Sequence, residues 1–381
     1  MTTSLEEVLV ERIRDQGPMP FAAYMQLALY HPHHGYYSSG KTRTGWEGHF
    51  VTSGELDPAF GALWAVAFEQ IWQACGRPSN FHVIEIGPGE AGLAAGALGA
   101  VAGAFADALH YDLIERSPEV ESRQREVLSG FGNVAWHRSI TEVPAVDAGC
   151  FFANEVLDNL PVHLVEMREG ELREICVSET DGSLHESLLP PSNPELAAFV
   201  ERSQVALPEG HRFEIHLAAD SLIKRAAATV VRGATVFVDY GDDAEALARR
   251  PAGSLLCYSA SGADDRPLDE PGAKDITVHA NWTATRAALQ DAGQTAAGPI
   301  RQRLALKALG LDSVHDVLRA EFTRASANAD GAAALRALSR RQALGALADP
   351  GGLGGLQVMA GFHGIERPPF LSPGREQAGP A

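Results

Sequence analysis

A chain of 381 residues with 45% hydrophobic side chains is long enough for one large elaborated domain or two, and its composition is globular. Its 49 acidic and 31 basic side chains leave a formal charge of −18. Such a surface repels phosphates and anionic headgroups, which argues against general nucleic-acid or membrane binding while leaving a basic protein partner open. The oligomeric state is not encoded at this level.

Cys75, Cys150, Cys176 and Cys257 are scattered without a CxxC pair, which suggests neither a zinc site nor a disulfide framework. Cys75, Cys150 and Cys257 lie in or beside apolar runs and fit a reducing compartment. The acidic start lacks an apolar signal core, and no apolar run is long enough to span a bilayer. The expectation is a soluble cytoplasmic protein.

Residues 4–16 read as a helix capped by Ser4, with Glu7 closing a capping box. A second helix covers 20–30. His31, His33 and His34 follow, but Pro32 interrupts them and no acidic or thiol ligand lies nearby, so no metal site is expected. A long polar loop leads into Gly48-His49-Phe50-Val51-Thr52-Ser53-Gly54-Glu55, the kind of extended segment that often carries function. Residues 57–75 place Phe60, Leu63, Trp64, Ala67, Phe68, Ile71 and Trp72 at helical spacing, a core stripe.

Residues 81–86 read as a buried strand, 87–92 as a glycine-rich turn and 93–103 as a helix. Strands at 109–115, 134–137 and 150–153 follow, with a helix at 118–128 opened by Ser117-Pro118. Strands spaced by helical segments argue for a parallel, doubly wound sheet. From His163 the texture changes to a hairpin about Glu169-Gly170, another short strand and a helix at 195–204. Thr235–Gly241 looks like a return to the main sheet. Helices at 283–292, 304–309, 313–325 and 331–347 precede a last strand at 356–362. The segments expected are an N-terminal cap and cofactor-covering loop (1–75), a core begun at 76–162 and completed at 233–365, an insertion at 163–232, and a flexible tail (366–381).

In open α/β sheets, ligands sit beyond the carboxyl ends of the strands. Glu85 and the glycine turn, Glu115, Asn154 with Glu155 and Asp158, and Asp239 all fall at such ends. Glu115 suits the hydroxyls of an adenosine ribose, which NAD and S-adenosylmethionine share. Glu85, just before the turn, favours a ligand with a cationic amino-acid end. Glu90 adds a second acid where a pyrophosphate would lie. S-adenosylmethionine is therefore preferred.

The residues Tyr24-Met25, His31-Pro32…Gly35-Tyr36-Tyr37, Gly48…Phe50-Val51-Thr52-Ser53, Glu85-Ile86-Gly87-Pro88-Gly89, Ala153-Asn154-Glu155…Asp158…Pro161…His163, Asp239-Tyr240-Gly241, Asp275…His279 and Gly298…Gln302 resemble the MidA family. These are class I S-adenosylmethionine-dependent methyltransferases related to a mitochondrial complex I assembly-factor arginine methyltransferase. The resemblance runs over roughly residues 5–365. It implies a Rossmann-like seven-strand core with an N-terminal helical cap and inserted α+β elements. It implies cofactor contacts by Glu85, Gly87, Gly89 and Glu115, and Pro88 and Asn154, at the same strand ends, are expected to join them. In its mitochondrial branch it implies protein arginine as the acceptor. This chain departs from the family pattern at Glu90-Ala91 in the turn, at His49, at Ile215-His216-Leu217 and at Asn281-Trp282.

A guanidinium acceptor needs carboxylates to hold it and to help disperse its proton. Glu155 is the expected acceptor-holding carboxylate and Asp158 its helper, with capping of the next helix as the alternative for Asp158. Tyr36, Tyr37 and Phe50 are expected to roof the cofactor, their aromatic faces suiting a sulfonium, with packing as the alternative, and Thr52 and Ser53 are expected to contact it as well. No metal is expected. The leading function is S-adenosylmethionine-dependent methylation of a protein arginine. A small-molecule methyltransferase and a non-catalytic cofactor-binding assembly factor are the alternatives.

Overall fold

The computed structural model describes residues 4–38 and 53–371. Its centre is a seven-stranded sheet made of β1 (Phe81–Ile86), β2 (Leu109–Ile114), β3 (Val134–His137), β4 (Gly149–Asn154), β5 (Gly233–Asp239), β6 (Thr295–Arg301) and β7 (Gln357–His363). In space they run β6-β7-β5-β4-β1-β2-β3. Strands β1 to β5 pair in parallel, whereas β7 runs antiparallel to both β5 and β6. The sheet is therefore mixed rather than wholly parallel. From β1 the chain winds outward through β2 and β3, then crosses back to lay β4 on the other side of β1. That reversal opens a crevice beyond the ends of β1 and β4.

Alternation along the central strands faces two cores. Phe81 and Val83 join Phe152, Val236 and the stripe of helix Ala59–Ala74 on one side. Ile84, Phe151 and Phe237 meet helices Leu217–Thr229 and Trp282–Asp291 on the other. Helix Gly92–Ala100, which the glycine turn launches, lies so close to helix Ala59–Ala74 that a Cβ on Gly61 would meet Leu93 O at 2.2 Å. Only a residue without a side chain permits that approach.

Strand β6 and a helix are among the elements that escape the sequence reading. Strand β6 carries Gly298-Pro299, which interrupts its pairing with β7 between Ala297 and Ile300 and disguises it as loop. The helix expected at 93–103 ends at Ala100, and a separate helix, Gly103–Ala108, follows. The tail also docks further than expected. Phe370 is buried against Trp64, their rings 6.1 Å apart.

Between β4 and β5 the chain builds an antiparallel sheet from His163–Arg168, Glu171–Thr180, Ser183–Leu189 and Arg212–Ile215, with Met19–Pro20 at one edge. Helices Leu5–Gln16 and Phe21–Tyr30 pack on it through Leu9, Ile13, Phe21 and Met25. The first of these starts at Ser4 with the expected capping box. This packing brings the N-terminal tyrosines over the crevice.

Candidate active site

A cavity of about 780 Å³ occupies the crevice, within the size range of small-molecule and cofactor sites. Glu85, Gly87, Pro88, Gly89, Glu115, Asn154, Glu155, Asp158 and Tyr37 all line it. Ser53 is fully buried beside it, tied to Glu155. Phe50 and Thr52, and His49 with them, lie outside the described residues.

At the end of β1, Glu85 is 3% exposed and accepts a 2.7 Å hydrogen bond from Tyr111 Oη. Burial pushes its carboxyl up to about 7, against the opposing pull of the tyrosine. The turn after it is shaped by left-handed residues, Gly87 at φ 67°, Gly89 at φ 54° and Ala91 at φ 62°. A Cβ on Gly87 would stand 3.0 Å from Val156 Cγ2. Ala91 N–H donates to Pro88 O at 2.9 Å and closes the turn.

Glu115, just past β2, accepts from Ser117 N–H at 2.7 Å and from Gln124 Nε2 at 3.2 Å. Burial raises its carboxyl above the usual range. Sequence reasoning missed Gln124, a fully buried amide in a helix with no motif around it. Its Nε2 also donates to Gly89 O at 2.7 Å, and its Oε1 accepts from Trp136 Nε1 at 3.1 Å. One side chain thus fixes the glycine turn relative to Glu115. Glu90 does not face the cavity unopposed. Its carboxylate takes Arg123 Nε at 3.0 Å and Nη2 at 2.8 Å. Arg123 comes from helix Pro118–Val127, which follows β2.

At the end of β4, Glu155 adopts a left-handed backbone at φ 54°. Its Oε1 accepts from Ser53 N–H at 3.0 Å and from Asn154 Nδ2 at 2.9 Å. A short 3-10 turn, Leu157–Asn159, follows. Its free N–H groups are capped by Asp239 from β5, whose Oδ2 accepts from Val156 at 3.0 Å, Leu157 at 2.8 Å and Asp158 at 3.3 Å. Asp158 is therefore not the cap; another acid performs that role.

Asp158 Oδ1 is buried without a hydrogen-bond partner among the described residues. Burial, and then the charges of Asp239, Asp275 and Glu155, hold its carboxyl well above the carboxylate range. Asp239 is pushed up to about 7 by burial and by Glu155, against the backbone N–H groups it accepts. Asp275, from strand Asp275–Thr277, is also held up at about 7 by burial. Its Oδ1 accepts from Tyr37 Oη at 2.8 Å and from Asn159 Nδ2 at 2.9 Å. The Tyr37 ring stacks on Tyr30 at 5.6 Å. No ion pair to Asp158, Asp239 or Asp275 occurs among the described residues. One end of the cavity is thus a glycine turn flanked by acids suited to an aminoacyl nucleoside. The other is a wall of carboxylates suited to a cation.

Comparison with known proteins gives the same picture. Residues 63–300 match the model of a family described as S-adenosyl-L-methionine-dependent methyltransferases. The chain is 28% identical over 352 residues to the Danio rerio protein arginine methyltransferase NDUFAF7, mitochondrial, covering 83% of this chain and 78% of that one. The Homo sapiens protein of the same name is 26% identical over 337 residues, covering 80% and 73%. A Burkholderia thailandensis crystal structure with bound S-adenosyl-homocysteine superposes with a TM-score of 0.83 at 31% identity, covering 96% of this chain and 94% of that chain. The expectation of a cytoplasmic location is corrected by these relatives, which are named as mitochondrial proteins. Buried free thiols and an acidic N-terminus do not identify a compartment. Among the described residues, no helix is long and apolar enough to cross a membrane.

Proposed function

Because the chain belongs to the MidA family of S-adenosylmethionine-dependent methyltransferases, we propose that it methylates a guanidino nitrogen of a protein arginine. The observation that carries this reading is the acidic end of the cavity, above all the buried, unpartnered Asp158 Oδ1. A buried acid without a cation stays protonated, and a guanidinium would supply the missing charge and several N–H donors at once. The mitochondrial relatives named as protein arginine methyltransferases support the same acceptor class.

The cradle fits the donor. Its turn brings Gly87 and Gly89 to the cavity with no side chain to obstruct a ligand's approach to the backbone. Asn154 Oδ1 is buried without a partner among the described residues, and the Glu85 carboxylate reaches the same cavity. Glu85 would hold the ammonium of the methionine moiety, Glu115 the ribose hydroxyls and Asn154 a polar group between them. S-adenosylmethionine supplies an electrophilic methyl group, so the protein's work is alignment and exclusion of water. Glu155, braced by Ser53 and Asn154, would orient the guanidinium, with Asp158 beside it. Tyr37 would complete the aromatic cover.

The test is tritium transfer from labelled S-adenosylmethionine into a lysate of the source organism lacking this gene. Label recovered as methylarginine in a protein band is the expected result. Label found only in small molecules, or nowhere, overturns the assignment.

A further inference from the structure

The chain supplies a carboxylate near Asp158 from a separate part of the fold. The turn carrying Asp158 and the strand Asp275–Thr277 are stitched together. Val278 N–H donates to Asp158 O at 2.9 Å, and Asn159 Nδ2 donates to Asp275 Oδ1 at 2.9 Å and to Ile276 O at 3.3 Å. Tyr37 Oη reaches the same Oδ1 from the N-terminal segment at 2.8 Å. Two other stretches of chain thus fix one acid, 2% exposed, on the cavity that Asp158 also lines.

A buried carboxylate held this way is costly unless it serves packing or a ligand. Packing does not account for it, because Asp275 lines the cavity and Asp158 Oδ1, on the same cavity, has no partner among the described residues. Resting on the guanidinium reading above, we propose that Asp275 is a third carboxylate of the acceptor site, with Glu155 and Asp158. The cationic acceptor enters between Asp158 and Asp275, and a proton held by the acids passes to the solvent buffer as it does so. Tyr37 and Asn159 position Asp275 for this task.

The surroundings set the direction of the exchange. Tyr37 and Tyr30 from the N-terminal segment, Glu155 and Asp158 from the turn after β4, Asp239 from β5 and Tyr258 from strand Leu256–Ser259 all act on this cluster. Tyr240 and Cys257 act on it too, and Arg116, whose guanidinium lies 5.1 Å from the Tyr30 ring centroid, is a cation on the same cavity. Lys274, next in sequence to Asp275, has its ammonium on Asp264 at 2.7 Å and on Arg266 O at 3.1 Å. With burial holding Asp275 at about 7, the empty site retains protons in mildly acidic solution, and an arriving cation stabilises the ionised acids. Acceptor binding is therefore proton-releasing and tightens as pH rises towards neutrality.

The experiment is calorimetry on the full chain loaded with S-adenosyl-homocysteine and titrated with N-acetyl-arginine amide. It is run near pH ~6.5 in two buffers of different ionisation enthalpy, which counts the protons released. The wild type should release roughly one proton per guanidinium bound. Asp275→Asn should release clearly fewer and bind about tenfold more weakly, the scale of one lost charge-assisted contact. S-adenosyl-homocysteine affinity in the variant reports that it is folded. Tyr37→Phe, which removes a hydroxyl and no charge, should lose affinity yet still release protons. Absence of binding by the wild type, binding without proton release, or a wild-type response from Asp275→Asn overturns the proposal. If the wild type still methylates protein arginine in those cases, the functional reading stands and only the role of Asp275 falls.

Discussion

Tyr111 Oη donates to Glu85 Oε2 at 2.7 Å inside the sheet, joining neighbouring positions on β2 and β1. The hydroxyl favours the ionised acid, while burial holds the group at about 7. If ionised Glu85 holds the donor's ammonium, S-adenosyl-homocysteine affinity should rise with pH through about 7. Tyr111→Phe should move that midpoint upward by roughly one pH unit, the equivalent of a hydrogen bond to a charged group. Glu85→Gln should flatten the dependence and weaken binding. Calorimetry across the range checks both, and an unshifted midpoint in Tyr111→Phe removes the link.

Gly87→Val combines a left-handed backbone with a Cβ that meets Val156. The conformational cost alone is about 1–2 kcal/mol. The added side chain would also shield the N–H groups of the turn. Cofactor affinity is expected to fall by about tenfold or more, while Arg123→Ala, which breaks a partly exposed ion pair, should cost under ~1 kcal/mol of stability. Equal effects of the two substitutions would show that the turn acts only as scaffold.

Asp239→Ala strips the cap from the turn carrying Asp158. Leaving buried N–H groups unpaired costs about 1–3 kcal/mol each when no water replaces the acceptor. A large fall in melting temperature with loss of turnover is expected. Glu155→Ala should instead abolish turnover while cofactor affinity stays within a few-fold. Full activity in Glu155→Ala would remove that residue from the chemistry.

Glu85, Asp239 and Asp275 are each held at about 7 and Asp158 well above its ordinary range, whereas the unfolded chain ionises such groups near ~4. The folded state therefore carries more protons across the interval, and stability falls as pH rises from about 4 to 7. Buried His216, pushed down to about 4, works the opposite way up to about 6.5, as do the lowered His279 and His31, but burial also raises Glu115, Glu214 and Asp220, so the raised acids outnumber the lowered imidazoles. The ligand-free protein should melt several degrees lower at pH ~7.5 than at pH ~5.5. Scanning calorimetry decides this, and a rising melting temperature would refute the net balance.

Much of the scaffold was legible because it depends on local pattern. The stripe of helix Ala59–Ala74, the run of β1 and the box at Ser4 are short-range statements. The direction of β7 is not, since nothing in a strand's own residues says which way it lies beside its neighbours. The acids at the strand ends were visible, yet their division of labour was not. Asp239 as the cap of a distant turn, and Asp275 beneath a tyrosine 238 residues away, depend on tertiary approach. Gln124 left no sequence signal because a buried amide in a polar helix looks like any solvated one.

Trp136 gives one of these connections a further use. Its indole N–H is bonded to the amide that also holds Gly89 and Glu115, and the Arg125 guanidinium lies 4.1 Å from the ring centroid. A ligand that draws on Glu115 or shifts the turn must alter the electric field at that indole. In a variant that keeps Trp136 alone of the five tryptophans, donor binding should therefore change the fluorescence without a label.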